Sequence, residues 1–409
     1  MPILSKRSAF AVNPIRDEDT AAEALVRKGR KVIKLSTGDP AVYMPTPAYI
    51  IDAYVDALKR RRTYYSRSEG AAELIEAIAG RYRRMYRLSL GEHDIITTQG
   101  LSEALYFMNS AMIDEKDYAV VFKPYYPAYI SNLHMAGGNA VYERYDEERG
   151  WSINTDRLRD SINKVRKSGK GRRIKYMMIT NPNNPTGTVL GRRTLEEIVE
   201  IAKDNGLFLV SDEIYDEIVF NGAKFTSVCE LAGGIPHMVL NGASKNFDAT
   251  GFRIGFAIIP EDDDASAALK EKFRDYARVR LSANTPSEYA CAAALNNVKE
   301  HRRAIRRMVK EISGRINYAA KLLSENSYVS VVRPSGAFYL FPRLDLDTLR
   351  FGSDAEFCMK LLLNKNIQIT RGSGFGDPGH IRIVCLAPKE ILGYAIESIN
   401  EFCSKNARR

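Results

Sequence analysis

Tyr176-Met-Met-Ile-Thr-Asn-Pro-Asn-Asn-Pro-Thr-Gly187 passes directly from an unbroken apolar run to a turn holding two prolines and three asparagines. A short continuous apolar run bounded by turn residues is the signature of a strand buried on both faces. So dense a set of prolines and asparagines also fixes the backbone that follows. The pattern recurs outward from this stretch: Tyr118-Ala-Val-Val-Phe122, Leu207-Phe-Leu-Val210, His237-Met-Val-Leu240 and Ile254-Gly-Phe-Ala-Ile-Ile259 read as strands of the same kind. Residues 102–112 and 195–205 read as helices. Apolar strands alternating with helices predict an α/β domain built on a largely parallel sheet covered on both faces.

The tail differs. Residues 329–332, 337–340 and 380–385 read as strands and 357–363 as a helix, which predicts a smaller α+β unit. The loop-rich first 48 residues are expected to pack with it. The predicted division is therefore a large domain at 49–295 and a small one made of 1–48 and 296–409. A length of 409 residues suits two domains, because single cores stop growing near about 250–300 residues.

Composition excludes several classes. Apolar residues at 45% and charged residues at 27% are ordinary for a globular protein. No signal-peptide order and no apolar run of membrane-spanning length is present, so a cytosolic protein without membrane contact is expected. Cys229, Cys291, Cys358, Cys385 and Cys403 stand far apart with no CxxC pair and read as buried thiols, and the five histidines form no metal-spaced set. No metal is expected. The net charge of +10 and the basic clusters at 59–62, 81–87, 164–173 and 302–307 raise the question of nucleic acid. Three of these clusters lie inside amphipathic patterns. In residues 69–88, Leu74, Ile78 and Tyr82 recur at helical spacing, which assigns the arginines to the outer face and predicts no nucleic-acid partner.

In open α/β sheets ligands bind beyond the carboxyl ends of the strands, and the unusual residues of this chain collect there. Thr97-Thr-Gln-Gly-Leu-Ser102, the asparagine-proline turn, Ser211-Asp-Glu-Ile-Tyr215 and Asn241-Gly-Ala-Ser-Lys245 each follow an apolar run. Taken singly, Ser102 reads equally well as a helix cap, Asp212 as a loop carboxylate, and Lys245 or Arg253 as a surface cation. Together they suggest chemistry. Desolvation and a neighbouring cation favour the neutral amine of Lys245, the form that attacks a carbonyl. The amides of Leu101 and Ser102 at a helix N-terminus form an anion site, and Arg253 matches a phosphate beside the Ser244 hydroxyl. A phosphate-bearing aldehyde joined to Lys245 fits both. Arg382, inside the apolar run His380-Ile-Arg-Ile-Val384, is costly to bury unless it meets an anion.

The motifs at 181–187 (NPNNPTG), 211–215 (SDEIY) and 244–255 (SKNFDATGFRIG), in this order and spacing, resemble the class I pyridoxal-phosphate aminotransferases of fold type I. The likeness runs from LSTGDP at 35–40 to GHIRIV at 379–384. The stretches at 64–74, 146–151 and 241–253 are most similar to archaeal alanine and aspartate aminotransferases. The resemblance implies a large domain with a mostly parallel seven-stranded sheet between helices, a smaller α+β domain, pyridoxal 5'-phosphate as cofactor, and a homodimer with shared active sites. It implies that Lys245 holds the cofactor covalently and then moves a proton at the substrate α-carbon. Asp212 would pair with the pyridine nitrogen, Asn184 and Tyr215 would meet the ring oxygen, and Tyr126 would stack on the ring. Leu101, Ser102, Ser244 and Arg253 would hold the phosphate, joined by Tyr65 from the neighbouring subunit. Arg382 would clamp the substrate carboxylate, with Asn184 and Gly38 also facing substrate.

Three positions depart from the pattern, one of them Ile75, which replaces a common arginine. Gly242 stands where many relatives carry a phosphate-binding serine, and Lys116 where glycine is common. The expected reaction is ping-pong transfer of an amino group from an L-amino acid to a 2-oxo acid, with 2-oxoglutarate as acceptor. Alanine is the first expected donor, and aspartate or an aromatic acid the second. The rival on the same scaffold is a carbon–sulfur β-lyase, which shares the α-carbanion. A ligand-sensing module fused to a DNA-binding head is the rival from another class. It is disfavoured because the motif set begins at Leu35, too early to leave room for a helix-turn-helix domain.

Overall fold

The computed structural model describes residues 3–167, 174–260 and 263–408. Its centre is an eight-stranded sheet, numbered here in chain order: β1 (Ile95–Thr98), β2 (Tyr118–Lys123), β3 (Asn139–Asp146), β4 (Ser152–Ile153), β5 (Ile174–Thr180), β6 (Phe208–Asp212), β7 (His237–Gly242) and β8 (Gly255–Ile258). The spatial order is β1-β8-β7-β6-β5-β2-β3-β4. From β7 through β3 every neighbouring pair is parallel, whereas β8 runs antiparallel to both of its neighbours. The resemblance implied seven strands. The eighth, β4, is a two-residue antiparallel addition to β3.

Both faces of the sheet are covered, which explains the unbroken apolar runs. Successive residues of one strand enter opposite cores: Met177, Leu209 and Val239 belong to one buried cluster, and Met178, Val210 and Met238 to the other. This follows from the two-residue period of side chains along a strand. Each such burial stabilises the fold by about 1.5–3 kcal/mol relative to exposure. The register places Thr180, Asp212 and Leu240 side by side, so three polar loops leave the sheet at one level.

A third cluster gathers Leu35, Ile214, Tyr215 and Phe220 with residues of the tail such as Phe338, Tyr339 and Ile383. There Tyr339–Leu340, Ile381–Val384 and Thr370–Arg371 form a three-stranded antiparallel sheet. Ile33–Lys34 pairs in parallel with Ile367–Gln368. The helix Val298–Leu323 lays Ile305, Met308, Ile312, Ile316 and Leu323 on this core at three- and four-residue spacing.

One expectation is overturned. Arg81, assigned to the outer face of its helix, is 4% exposed and paired with Asp216 and Glu217. It follows Ile78 and Leu74 on the inward stripe of Ala72–Tyr86, whereas Arg83 and Arg84 do face outward. The basic run 164–173 lies partly outside the described residues. All five cysteines are buried, and none is joined in a disulfide among the described residues. Lys116 has a φ of 70°, the left-handed conformation in which a glycine would be unstrained. No helix among the described residues is long and apolar enough to cross a membrane.

Candidate active site

The carboxyl ends of β1, β2, β5, β6 and β7 and the loop before β8 open on one cleft of about 370 Å³. Of the residues singled out in the sequence, Gly38, Leu101, Ser102, Tyr126, Asn184, Asp212, Tyr215, Ser244, Lys245, Arg253 and Arg382 all line it. Tyr65 does not. It stands outside the cleft and is 75% exposed.

Lys245 lies on the short helix Ala243–Asn246 that follows β7. Its Nζ donates to the Gly38 carbonyl at 2.7 Å, so the N-terminal LSTGDP loop closes on the amine. Burial lowers its pKa to about 8, with Asp39 opposing the shift and Arg382 and Arg253 adding to it. Asp212, at the end of β6, accepts from the Tyr129 hydroxyl at 2.6 Å and from the Ile214 amide at 3.1 Å. Burial raises its pKa to about 6 against those two bonds and the pull of Lys245. An amine pushed toward neutrality and a carboxylate pushed toward protonation thus share one desolvated site.

The cleft has two cationic ends. At one, Arg253 donates to the carbonyls of Thr250 at 2.9 Å and Gln99 at 3.4 Å. It sits beside the N-terminus of the helix Leu101–Met112, whose preceding Gly100 has φ 72°. A side chain on Gly100 would reach Arg253 at 2.4 Å, and one on Gly255 would strike the Gly100 backbone at 2.7 Å. The two glycines therefore let β8 and the helix N-terminus close on each other. At the other end Arg382, 1% exposed, donates to Asn184 Oδ1 at 2.9 Å and to the Ser36 carbonyl. Its guanidinium lies 4.8 Å from the Tyr339 ring centroid and 4.6 Å from that of Phe375. Its Nε is buried without a partner. Burial lowers the Arg382 pKa, and only tyrosines oppose that shift. Such a cation is waiting for an anion.

The asparagine-proline turn is fixed as its composition predicted. Asn183 Oδ1 accepts from the Thr186 amide at 3.1 Å and hydroxyl at 2.9 Å, and Asn181 Oδ1 accepts from the Leu190 amide at 2.9 Å. Tyr215 shares a 2.7 Å hydrogen bond with Tyr339. Sequence reasoning missed Tyr129, Tyr339 and Arg16, which also line the cleft. Tyr129 lies three residues after Tyr126 on the same helical turn, a usable signal. Tyr339 and Arg16 arrive from distant parts of the chain and carried none. At Gly242 an added side chain would meet the Ile254 carbonyl at 2.6 Å. A serine therefore has no room there, and the departure from the pattern is set by packing.

These residues fit pyridoxal phosphate. A helix N-terminus with Arg253 suits its phosphate, a buried carboxylate suits the protonated ring nitrogen, and an amine of lowered pKa suits its aldehyde. Residues 30–399 match the family model for aminotransferase class I and II. An aspartate aminotransferase of Bacillus sp. (strain YM-2) is 32% identical over 386 residues, covering 93% of this chain and 94% of that protein. A glutamate-pyruvate aminotransferase of Haemophilus influenzae is 31% identical over 93% of this chain and 92% of its own. The solved alanine aminotransferase of Pyrococcus furiosus superposes with a TM-score of 0.91 at 34% identity, covering 98% of this chain and 100% of that one. The chain belongs to the class I and II aminotransferases, enzymes that transfer amino groups with pyridoxal phosphate.

Proposed function

We propose that this aminotransferase uses Lys245 as the residue that carries the cofactor and shuttles the proton, with L-alanine as donor and 2-oxoglutarate as acceptor. The observation that carries the reading is the buried Lys245 amine, held at 2.7 Å on Gly38 in the cleft that also contains Asp212, Arg253 and Arg382, where desolvation lowers its pKa to about 8. Bound pyridoxal phosphate supplies an aldehyde for the amino group and a ring that spreads negative charge from the substrate α-carbon. The protein supplies the rest. Arg253, Ser244 and the Leu101 and Ser102 amides hold the phosphate, and Tyr126 covers the ring. Asp212 holds a proton on the ring nitrogen, while Asn184 and Tyr215 meet the ring oxygen. Arg382 orients the substrate by its carboxylate, and Lys245 moves the α-proton.

A cleft cation not used by these roles favours a dicarboxylic partner. Arg16 lines the cleft, near enough to Tyr126 to act on its charge, and its exposed guanidinium pairs with the half-buried Asp19 at 3.2 Å. A guanidinium there suits the far carboxylate of 2-oxoglutarate. Arg16→Ala is expected to raise the KM for 2-oxoglutarate by about 10-fold or more, the worth of one charge-assisted contact, while leaving that for pyruvate unchanged. Unchanged kinetics with both oxo acids would remove Arg16 from substrate reading. A homodimer in the cytosol, in which the exposed Tyr65 reaches the neighbouring cleft, completes the proposal.

The deciding experiment follows the visible absorbance of the holoenzyme. L-alanine should bleach it, 2-oxoglutarate should restore it, and Lys245→Ala should lack both responses. Release of pyruvate and thiol from cystathionine without any restoration would make the protein a β-lyase instead.

A further inference from the structure

Behind the cleft lies a buried ionic cluster that the reaction chemistry does not use. Asp216 is 2% exposed and sits four residues beyond Asp212. Its Oδ2 accepts from Arg81 Nη2 at 2.8 Å and from the Tyr86 hydroxyl at 2.6 Å, and its Oδ1 accepts from Asn246 Nδ2 at 2.5 Å. The same Arg81 nitrogen donates to Glu217 Oε2 at 2.8 Å, and His301 Nε2 meets that oxygen at 2.8 Å. His301 in turn stacks on Phe247, with ring centroids 4.3 Å apart.

Asn246 and Phe247 are the two residues directly after Lys245. The segment bearing the amine is thus held from behind at two successive side chains, and one holder, Asp216, belongs to the segment that bears Asp212 and Tyr215. Arg81 and Tyr86 anchor this junction to the helix Ala72–Tyr86. Burying Arg81 and Asp216, with Glu217 and His301 half-buried beside them, to hold one asparagine is expensive unless the geometry has a use.

We propose that Asp216 and Asn246 are positioning residues: their hydrogen bond sets the place of the Lys245 amine relative to Asp212. The proposal rests on the assignment of Lys245 as the reacting residue. Misplacement of a reacting group by about 1 Å costs on the order of 100-fold in rate.

The test uses the holoenzyme. Asn246→Ala removes the bond while leaving Arg81, Asp216 and Glu217 paired. It should lower kcat by roughly 10- to 100-fold and keep KM within about threefold. It should also displace the pH profile of the cofactor's visible absorbance, which loss of stability alone would not move. Asn246→Asp sets two carboxylates against each other and should be worse. The exchange D216N/N246D restores a donor and an acceptor, and should recover most of the loss relative to N246D. Wild-type kcat and absorbance profile in N246A, or an exchange variant no better than N246D, would overturn the proposal. Should N246D not fold, N246A decides alone. Retained turnover in Lys245→Ala would instead strike the assignment of the lysine, so the two failures are distinguishable.

Discussion

At Lys245 the sign of the pKa shift makes a kinetic prediction. The neutral amine attacks an aldehyde, and burial lowers its pKa from 10.5 to about 8. Reconstitution of cofactor-free protein with pyridoxal phosphate should therefore accelerate as pH rises through about 8, and stopped-flow absorbance would show it. A midpoint near 10.5 would mean that the site does not desolvate the amine. Asp212 supplies a linked prediction about stability. Its folded pKa is raised from 3.8 to about 6, so the ionised form is penalised by folding above about 6 and the penalty vanishes below 3.8. Asp212→Asn should stabilise the cofactor-free protein by roughly 1–3 kcal/mol at pH 8 and not at pH 3.5. The same change should cost at least about 100-fold in kcat. Paired thermal melts and rates would check both. Lys245, Asp212, Arg253 and Arg382, which line one cleft, were legible in the sequence: the first three sit in local motifs beside strand ends, and Arg382 stands inside an apolar run. Tyr129, the direct partner of Asp212, was missed although its place three residues after Tyr126 marked it, whereas Tyr339 and Arg16 carry no local mark of their place in the cleft.

At the scale of elements, glycines govern how closely backbones meet. Gly242 packs against the Ile254 carbonyl, so Gly242→Ser should not add a phosphate contact. It should destabilise the protein by about 1–3 kcal/mol, as overpacking does, and weaken cofactor binding. Melting curves and a pyridoxal-phosphate titration would measure this, and tighter binding would show that the strands yield. Most elements of the sheet were legible because strands buried on both faces read as continuous apolar runs. The strand β3 was overlooked. Its sequence Asn139-Ala-Val-Tyr-Glu-Arg-Tyr-Asp146 alternates between core and solvent near the sheet edge, and its charged residues mask it. Arg81 was misplaced for a related reason: helical spacing put it on the inner stripe, but its charge argued for the surface. Only the carboxylates of Asp216 and Glu217 make the inner position tenable.

At the scale of the molecule, the proposed dimer needs an apolar surface, and one is exposed. The helix Ala48–Lys59 exposes Ile51, Val55 and Leu58, and Tyr64 and Tyr65 follow it. If the proposed dimer forms through this surface, Ile51→Asp with Val55→Asp should yield a monomer in analytical ultracentrifugation and weaken cofactor retention together, because Tyr65 would lose the neighbouring cleft proposed for it. A double variant that stays dimeric would place the subunit contact elsewhere.

What the sequence determined by itself was the alternation of buried strands and helices, the turn chemistry at 181–187 and the polar groups that collect beyond the strand ends. These depend on periodicity and local spacing, which survive without coordinates. The tertiary structure alone decided which distant residues complete the site. It brought Gly38 onto Lys245 across 207 positions and Asn184 onto Arg382 across 198. It also buried the Arg81 cluster behind the lysine, because partners for a desolvated charge are chosen by packing in space and leave no periodic trace along the chain.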